Sequence, residues 1–130
     1  CAEAGFCRMH VFPFSPRPGT AAADLGPRVE PRTVRARLGE LSGLARRLAS
    51  QFRSALLGRR LRVLFEKRLD EPSGLVMEGY SDEYQRVRAT SAQDLCGRVA
   101  FVTALEIEGE TIFGRLYAPC PTAALCATNR

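Results

Sequence analysis

Residues 61–117 are cut by turn formers into five short runs that suit β-strands: 61–67, 75–78, 84–89, 97–107 and 111–117. The separators are D-E-P-S-G at 70–74, S-D-E at 81–83, S-A-Q-D at 91–94 and E-G-E at 108–110, all rich in residues that favour turns. Short strands recurring about every ten residues predict a small five-stranded antiparallel β-barrel. In the first run Leu61, Val63 and Phe65 fall on one face, and Arg62, Leu64 and Glu66 on the other. The first set is the candidate core.

Upstream the period changes. Val34, Leu38, Leu41, Leu44, Leu48, Phe52 and Leu56 recur at steps of three and four, the spacing of an amphipathic helix. Pro31 suits its first turn and Gly58 the residue past its end. Gly39 and Gly43 inside it each cost about 1 kcal/mol relative to alanine, so packing must hold the helix. Arg35, Arg46 and Arg53 fall away from the apolar seam and are expected to be exposed. Before the helix, Phe6 to Phe14 alternates loosely in the manner of a strand, which Pro13, Pro16 and Pro18 must end. That strand would need a partner sheet. The predicted organisation is strand, Pro-rich loop and helix over 1–58, a β-barrel over 59–118, and a mobile tail over 119–130.

Charge is segregated. Residues 28–62 carry ten arginines against Glu30 and Glu40, whereas 63–117 carry six basic and ten acidic side chains. A basic stripe of this kind either holds phosphates or is a solvated helix face. Cys1, Cys7, Cys96, Cys120 and Cys126 form no C-x-x-C pair, and His10 is the single histidine, so no closed metal site is expected. An odd cysteine count with no secretory signal favours free thiols in a reducing, cytoplasmic compartment. The chain does not begin with Met, so truncation of something longer is the plainer reading, with a processed lipoprotein starting at Cys1 as the competitor. No run approaches the ~20 apolar residues of a membrane-spanning helix.

Two motifs then point to a family. His10-Val11-Phe12-Pro13-Phe14-Ser15-Pro16-Arg17-Pro18-Gly19-Thr20, followed by Ala22 or Ala23, resembles the H-V-F-P-Y-S-x-R-x-G-T-x-A signature closing the catalytic barrel of radical S-adenosylmethionine methylthiotransferases. Val29, Arg37 and Leu41 fit that family's last barrel helix. Leu64-Phe65-Glu66 and then Glu78-Gly79-Tyr80-Ser81-Asp82-Glu83-Tyr84 with Val87 resemble the start of its TRAM domain, and Gly97-Arg98-Val99 and Gly114 the later strands. Phe14 stands where the family usually has Tyr, and Asp82-Glu83 where Asp-Asn is commoner. No C-x-x-x-C-x-x-C occurs.

The resemblance implies an α+β chain: the last strand, loop and long helix of a radical-SAM (β/α) barrel, followed by an OB-like TRAM barrel. The H-V-F-P form points to the branch that methylthiolates N6-threonylcarbamoyl-adenosine beside the anticodon. The parent enzyme would use S-adenosylmethionine and two four-iron four-sulfur clusters, while this chain binds no cofactor or metal, has no catalytic residue and is inactive alone. Its expected partners are a tRNA anticodon stem-loop and the remainder of the enzyme, with no membrane and a monomeric state.

Site residues follow. Ser15, Arg17, Gly19 and Thr20 would border the cofactor and substrate pocket at the carboxyl end of the strand. The plainer alternative is a rigid turn whose Thr20 caps the next segment. His10 is expected to be hydrogen-bonded in its strand. In the barrel, Tyr80, Tyr84, Arg86, Arg88, Arg98 and Arg115 would contact RNA, rings stacking on bases and arginines holding the backbone. Phe113 is instead expected in the core; the plainer alternative puts one tyrosine there too, with Arg86 and Arg88 merely alternating outward from Val87. A stand-alone TRAM-type RNA-binding module without catalysis is the alternative to an enzyme segment, and an acidic barrel that binds a protein is a third.

Overall fold

A computed structural model describes residues 1–72 and 74–117. The expected tail over 119–130, with Cys120 and Cys126, lies outside the described residues. The chain forms two compact units, Cys1–Phe52 and Arg53–Arg130.

The first unit holds an irregular extended segment, a 3-10 turn at Ala21–Asp24 and most of helix α1, Pro31–Ser54. Pro31 opens α1 as its missing N–H allows, and the Val34 amide donates to the Glu30 carbonyl at 3.0 Å to start the ladder. The helix ends two residues before the apolar period does, because the chain turns there: the Leu56 amide donates to the Arg53 carbonyl and that of Leu57 to the Ser54 carbonyl. No residue of α1 is buried, and its seam is only half covered. Arg35 and Arg46 are exposed as expected, but Arg53 is half-buried where the helix gives way to the turn, and its Nε has no hydrogen-bond partner.

The expected strand over Phe6 to Phe14 does not form. A strand exists only when paired, and among the described residues nothing runs beside it. Pro13, Pro16 and Pro18 lack the donors a ladder needs. The segment that the resemblance made a barrel strand is an unpaired extended stretch, and Phe12 and Phe14 are left exposed.

The second unit is a closed barrel of β1 (Arg60–Glu71), β2 (Gly74–Ser81), β3 (Arg86–Thr90), β4 (Val99–Glu108) and β5 (Thr111–Leu116). Its order is β1-β2-β3-β5-β4, closed by β1 against β4. Four of the pairings are antiparallel, but β3 and β5 run parallel, with Val87 opposite Ile112. The wholly antiparallel barrel expected from the sequence is corrected at that seam. β5 follows a hairpin from β4 and inserts between β4 and β3, and the crossover fixes its direction. A five-stranded closed sheet with such a crossover matches the Greek-key architecture of OB-like barrels.

Leu61, Val63 and Phe65 are at most 2% exposed, as their alternation dictates. They meet Met77, Val87, Val102, Ala104 and Ile112 inside, and Leu56 is buried among the same core residues of this unit. Two glycines let the sheet curl this tightly. A Cβ on Gly79 would strike the Leu64 carbonyl oxygen, and one on Gly114 the Thr103 carbonyl oxygen and the Val102 side chain. Each sits at or beside a bulge in the strand it faces, Phe65/Lys67 in β1 and Ala104/Glu106 in β4. Bulges bend strands and glycine permits close backbone approach. Phe113, expected in the core, is half-buried instead, and Tyr80 and Tyr84 are exposed. The strand phase decides this: Ile112 already occupies the inward position beside Phe113, and Tyr80 follows inward Gly79.

Candidate functional site

Two regions carry the sequence-derived residues. In the first unit, Arg17 to Thr20 close a tight turn. The Thr20 amide and hydroxyl both donate to the Arg17 carbonyl, at 3.3 and 2.8 Å, and Gly19 adopts φ +80°. Thr20 precedes the 3-10 turn but makes no side-chain cap, because its hydroxyl is already spent on Arg17. Ser15, Arg17, Gly19 and Thr20 are all exposed. An apolar cavity of about 460 Å³ lies beside them, lined by Phe12, Phe14, Leu25, Val34 and Leu38 with Arg37 at its wall, and none of the four lines it. His10 is exposed, with its ring nearly parallel to that of Phe12 and the centroids 6.4 Å apart, instead of being held by a strand hydrogen bond.

In the second unit the outer face of the barrel is built by register. One row reads Val99, Leu64, Tyr80, Arg86 across β4, β1, β2 and β3. The next places Phe101 opposite Arg62, with the Tyr117 amide donating to the Phe101 carbonyl at 2.7 Å. A third sets Thr103 between Arg60 and Arg115. All of these side chains point outward because Leu61, Val63, Val102 and Ala104 alternate inward. The Arg60 guanidinium carbon lies 4.7 Å from the Tyr117 ring centroid and 5.4 Å from that of Phe101. Arg62 pairs with Asp82 at 2.9 Å. The Tyr80 phenol raises the already basic Arg86 guanidinium further, with Glu78 adding a smaller attraction.

The structure thus groups Tyr80 and Arg86 and places Arg115 on the same outer surface. Arg88 is more occupied: its Nη2 lies 2.7 Å from a Glu78 carboxylate oxygen, both side chains largely covered. Arg98 stands apart in the loop before β4, where its carbonyl accepts from the Phe65 amide. Tyr84, 76% exposed at φ 56°, forms the tip of the β2–β3 connection. Reading the sequence missed Arg60, Arg62, Phe101 and Tyr117. The run 97–107 has apolar residues on both faces of the strand, so one of those faces had to lie outside the core, but which one the sequence does not say.

Among the described residues no group of three or more His, Cys, Asp or Glu side chains is placed to hold a metal ion, and no helix is long and apolar enough to cross a membrane.

The second unit is thus a closed five-stranded barrel that carries arginines and exposed rings on its outer face. No family model matches the chain. Its sequence is similar to that of the threonylcarbamoyladenosine tRNA methylthiotransferase MtaB of Bacillus subtilis (strain 168), with 30% identity over 105 residues. The match covers 80% of this chain and 23% of that protein, so the chain spans about a quarter of its relative's length. This bears out the resemblance to the tRNA methylthiotransferases and supports a carboxy-terminal segment of such an enzyme.

Proposed function

We propose that the chain is the substrate-holding segment of an enzyme that methylthiolates N6-threonylcarbamoyl-adenosine beside the tRNA anticodon. The observation that carries this reading is the identity to MtaB across 80% of the chain, a span reaching well beyond either motif alone. The second unit acts as a TRAM-type RNA-binding barrel that grips the anticodon stem-loop in the cytoplasm. Tyr80, Tyr84, Arg86, Arg98 and Arg115, all exposed, are available for it, and Arg88 steadies the sheet through Glu78. The exposed arginines of α1, among them Arg32, Arg35, Arg46 and Arg47, add phosphate contacts. Ser15, Arg17, Gly19 and Thr20 contribute to the pocket wall once the rest of the catalytic barrel is present. The parent enzyme's radical chemistry would need S-adenosylmethionine and iron–sulfur clusters. The described residues of this chain supply no set of ligands that fits a cluster, so no chemical step is assigned to them.

The test is filter binding of the chain to a synthetic anticodon stem-loop over a salt series. Binding whose log affinity falls linearly with log salt, with a slope near −0.8 per phosphate contacted, is expected. Absence of binding at low salt would remove the RNA-holding role.

A further inference from the structure

We infer that the outer face of β1, β4 and β5 is a stacking site for unpaired nucleobases, centred on Arg60 between Phe101 and Tyr117. The inference rests on the RNA-holding role just proposed, and adds which face is used and which form of RNA it accepts. Phe101 and Tyr117 are 45% and 42% exposed, so the cation–ring contacts with Arg60 sit on the surface and leave ring area uncovered. Beside them Val99 and Leu64 are also open to solvent, 58% and 42% exposed. A contiguous apolar patch of this kind marks a contact site.

Its charge selects the occupant. Arg60, Arg62 and Arg115 border the rings, and among the described residues Asp82 is the carboxylate paired within the group, with Arg62. A face with that excess of guanidinium suits a ligand that brings both flat apolar rings and regularly spaced negative charge. Nucleic acid has both. A duplex conceals the flat faces of its bases in the stack, so only a looped or splayed strand can lay a base on Phe101 or Tyr117. Arg60 already lies between the two rings and can cover the second face of an incoming base or swing to the adjoining phosphate. The sheet keeps the rings in place, because the Tyr117 amide is tied to the Phe101 carbonyl at 2.7 Å.

The experiment is fluorescence anisotropy of the full chain with a labelled anticodon stem-loop, and with a blunt duplex of equal length. It compares the parent with Arg60→Gln, Phe101→Leu, Tyr117→Leu and the double variant Phe101→Leu/Tyr117→Leu. The parent is expected to prefer the loop. The double variant should lose roughly 30-fold or more in loop affinity with its salt slope unchanged, as two stacked bases imply. Arg60→Gln should lose affinity and about one phosphate's worth of slope. Photocrosslinking of the unmodified chain to a thiouridine-bearing loop should label peptides containing Phe101 or Tyr117, a readout independent of variant folding. Loop affinity within twofold of the parent in the double variant, equal affinity for duplex, or crosslinks confined to other strands would each overturn the site while leaving the RNA-holding role standing. A parent chain that binds neither RNA at low salt overturns both.

Discussion

Replacing Gly79 with alanine tests the geometry that closes the barrel. A Cβ there would press on the Leu64 carbonyl oxygen and stand 2.7 Å from both the Leu64 carbonyl carbon and the Phe65 Cα. These are main-chain atoms of β1, so no rotamer change relieves them. Ordinary contact demands that β1 and β2 separate by several tenths of an ångström at least. β1 cannot retreat freely, since it pairs with β4 as well as β2, and Val63 and Phe65 are fully buried behind it. Overpacking costs typically 1–3 kcal/mol, and a main-chain clash in the most constrained strand belongs at the upper end, about 3 kcal/mol. The reduced entropy of the unfolded alanine chain returns roughly 0.5–1 kcal/mol, leaving a net loss of about 2 kcal/mol. With a urea m-value near 1–1.5 kcal/mol/M for a unit of this size, the midpoint should fall by about 1.5–2 M. Urea unfolding followed by far-UV circular dichroism reads this directly. A midpoint equal to the parent's would show that β1 and β2 are not so closely apposed, and the account of the bulge opposite Gly79 would fail.

Other substitutions separate the remaining contributions. Gly43→Ala, with open space around the new methyl, should stabilise α1 by roughly 1 kcal/mol, seen as increased helical ellipticity. Glu78→Gln, which leaves the Arg88 guanidinium without its half-buried carboxylate, should cost about 1.5–3 kcal/mol in chemical unfolding. Asp82→Asn, at a pair whose members are both more than half exposed, should cost under about 1 kcal/mol. The Cys96 amide, donating to the Asp94 carboxylate at 2.8 Å, holds that carboxyl below the usual range. The stabilisation is therefore complete above the ordinary carboxylate range and lost as pH falls through the lowered value, which an NMR titration of the Asp94 carboxyl carbon checks.

The parts of this fold that sequence reveals are those governed by local period. The seam from Val34 to Phe52 repeats every three or four residues and needs no partner to announce a helix, and α1 begins at Pro31 as read. Leu61, Val63 and Phe65 alternate, so their burial followed. The direction of β5 did not, because the residues 111–117 read the same whether the strand pairs parallel or antiparallel, and only the crossover between β4 and β3 settles it. Phe6 to Phe14 shows the converse: a strand-like pattern makes no strand without a neighbour to accept its hydrogen bonds. At the candidate site, Tyr80 stood in a quoted motif, and the outward setting of Arg86 was legible from its alternation with buried Val87. Phe101 and Tyr117 were not, since each looks like core in sequence, and strand phase alone turns them outward beside Arg60.

The insertion of β5 between β3 and β4 has a consequence for how the chain comes off the ribosome. Until Thr111–Leu116 has emerged, β3 and β4 each present an open row of main-chain donors and acceptors, and Val87, Val102 and Ala104 face water through the gap. None of β1 to β4 stands in that gap. A chain whose β4 has left the ribosome while β5 has not is therefore open to stray partners along that gap, and the emergence of the six-residue β5 closes it.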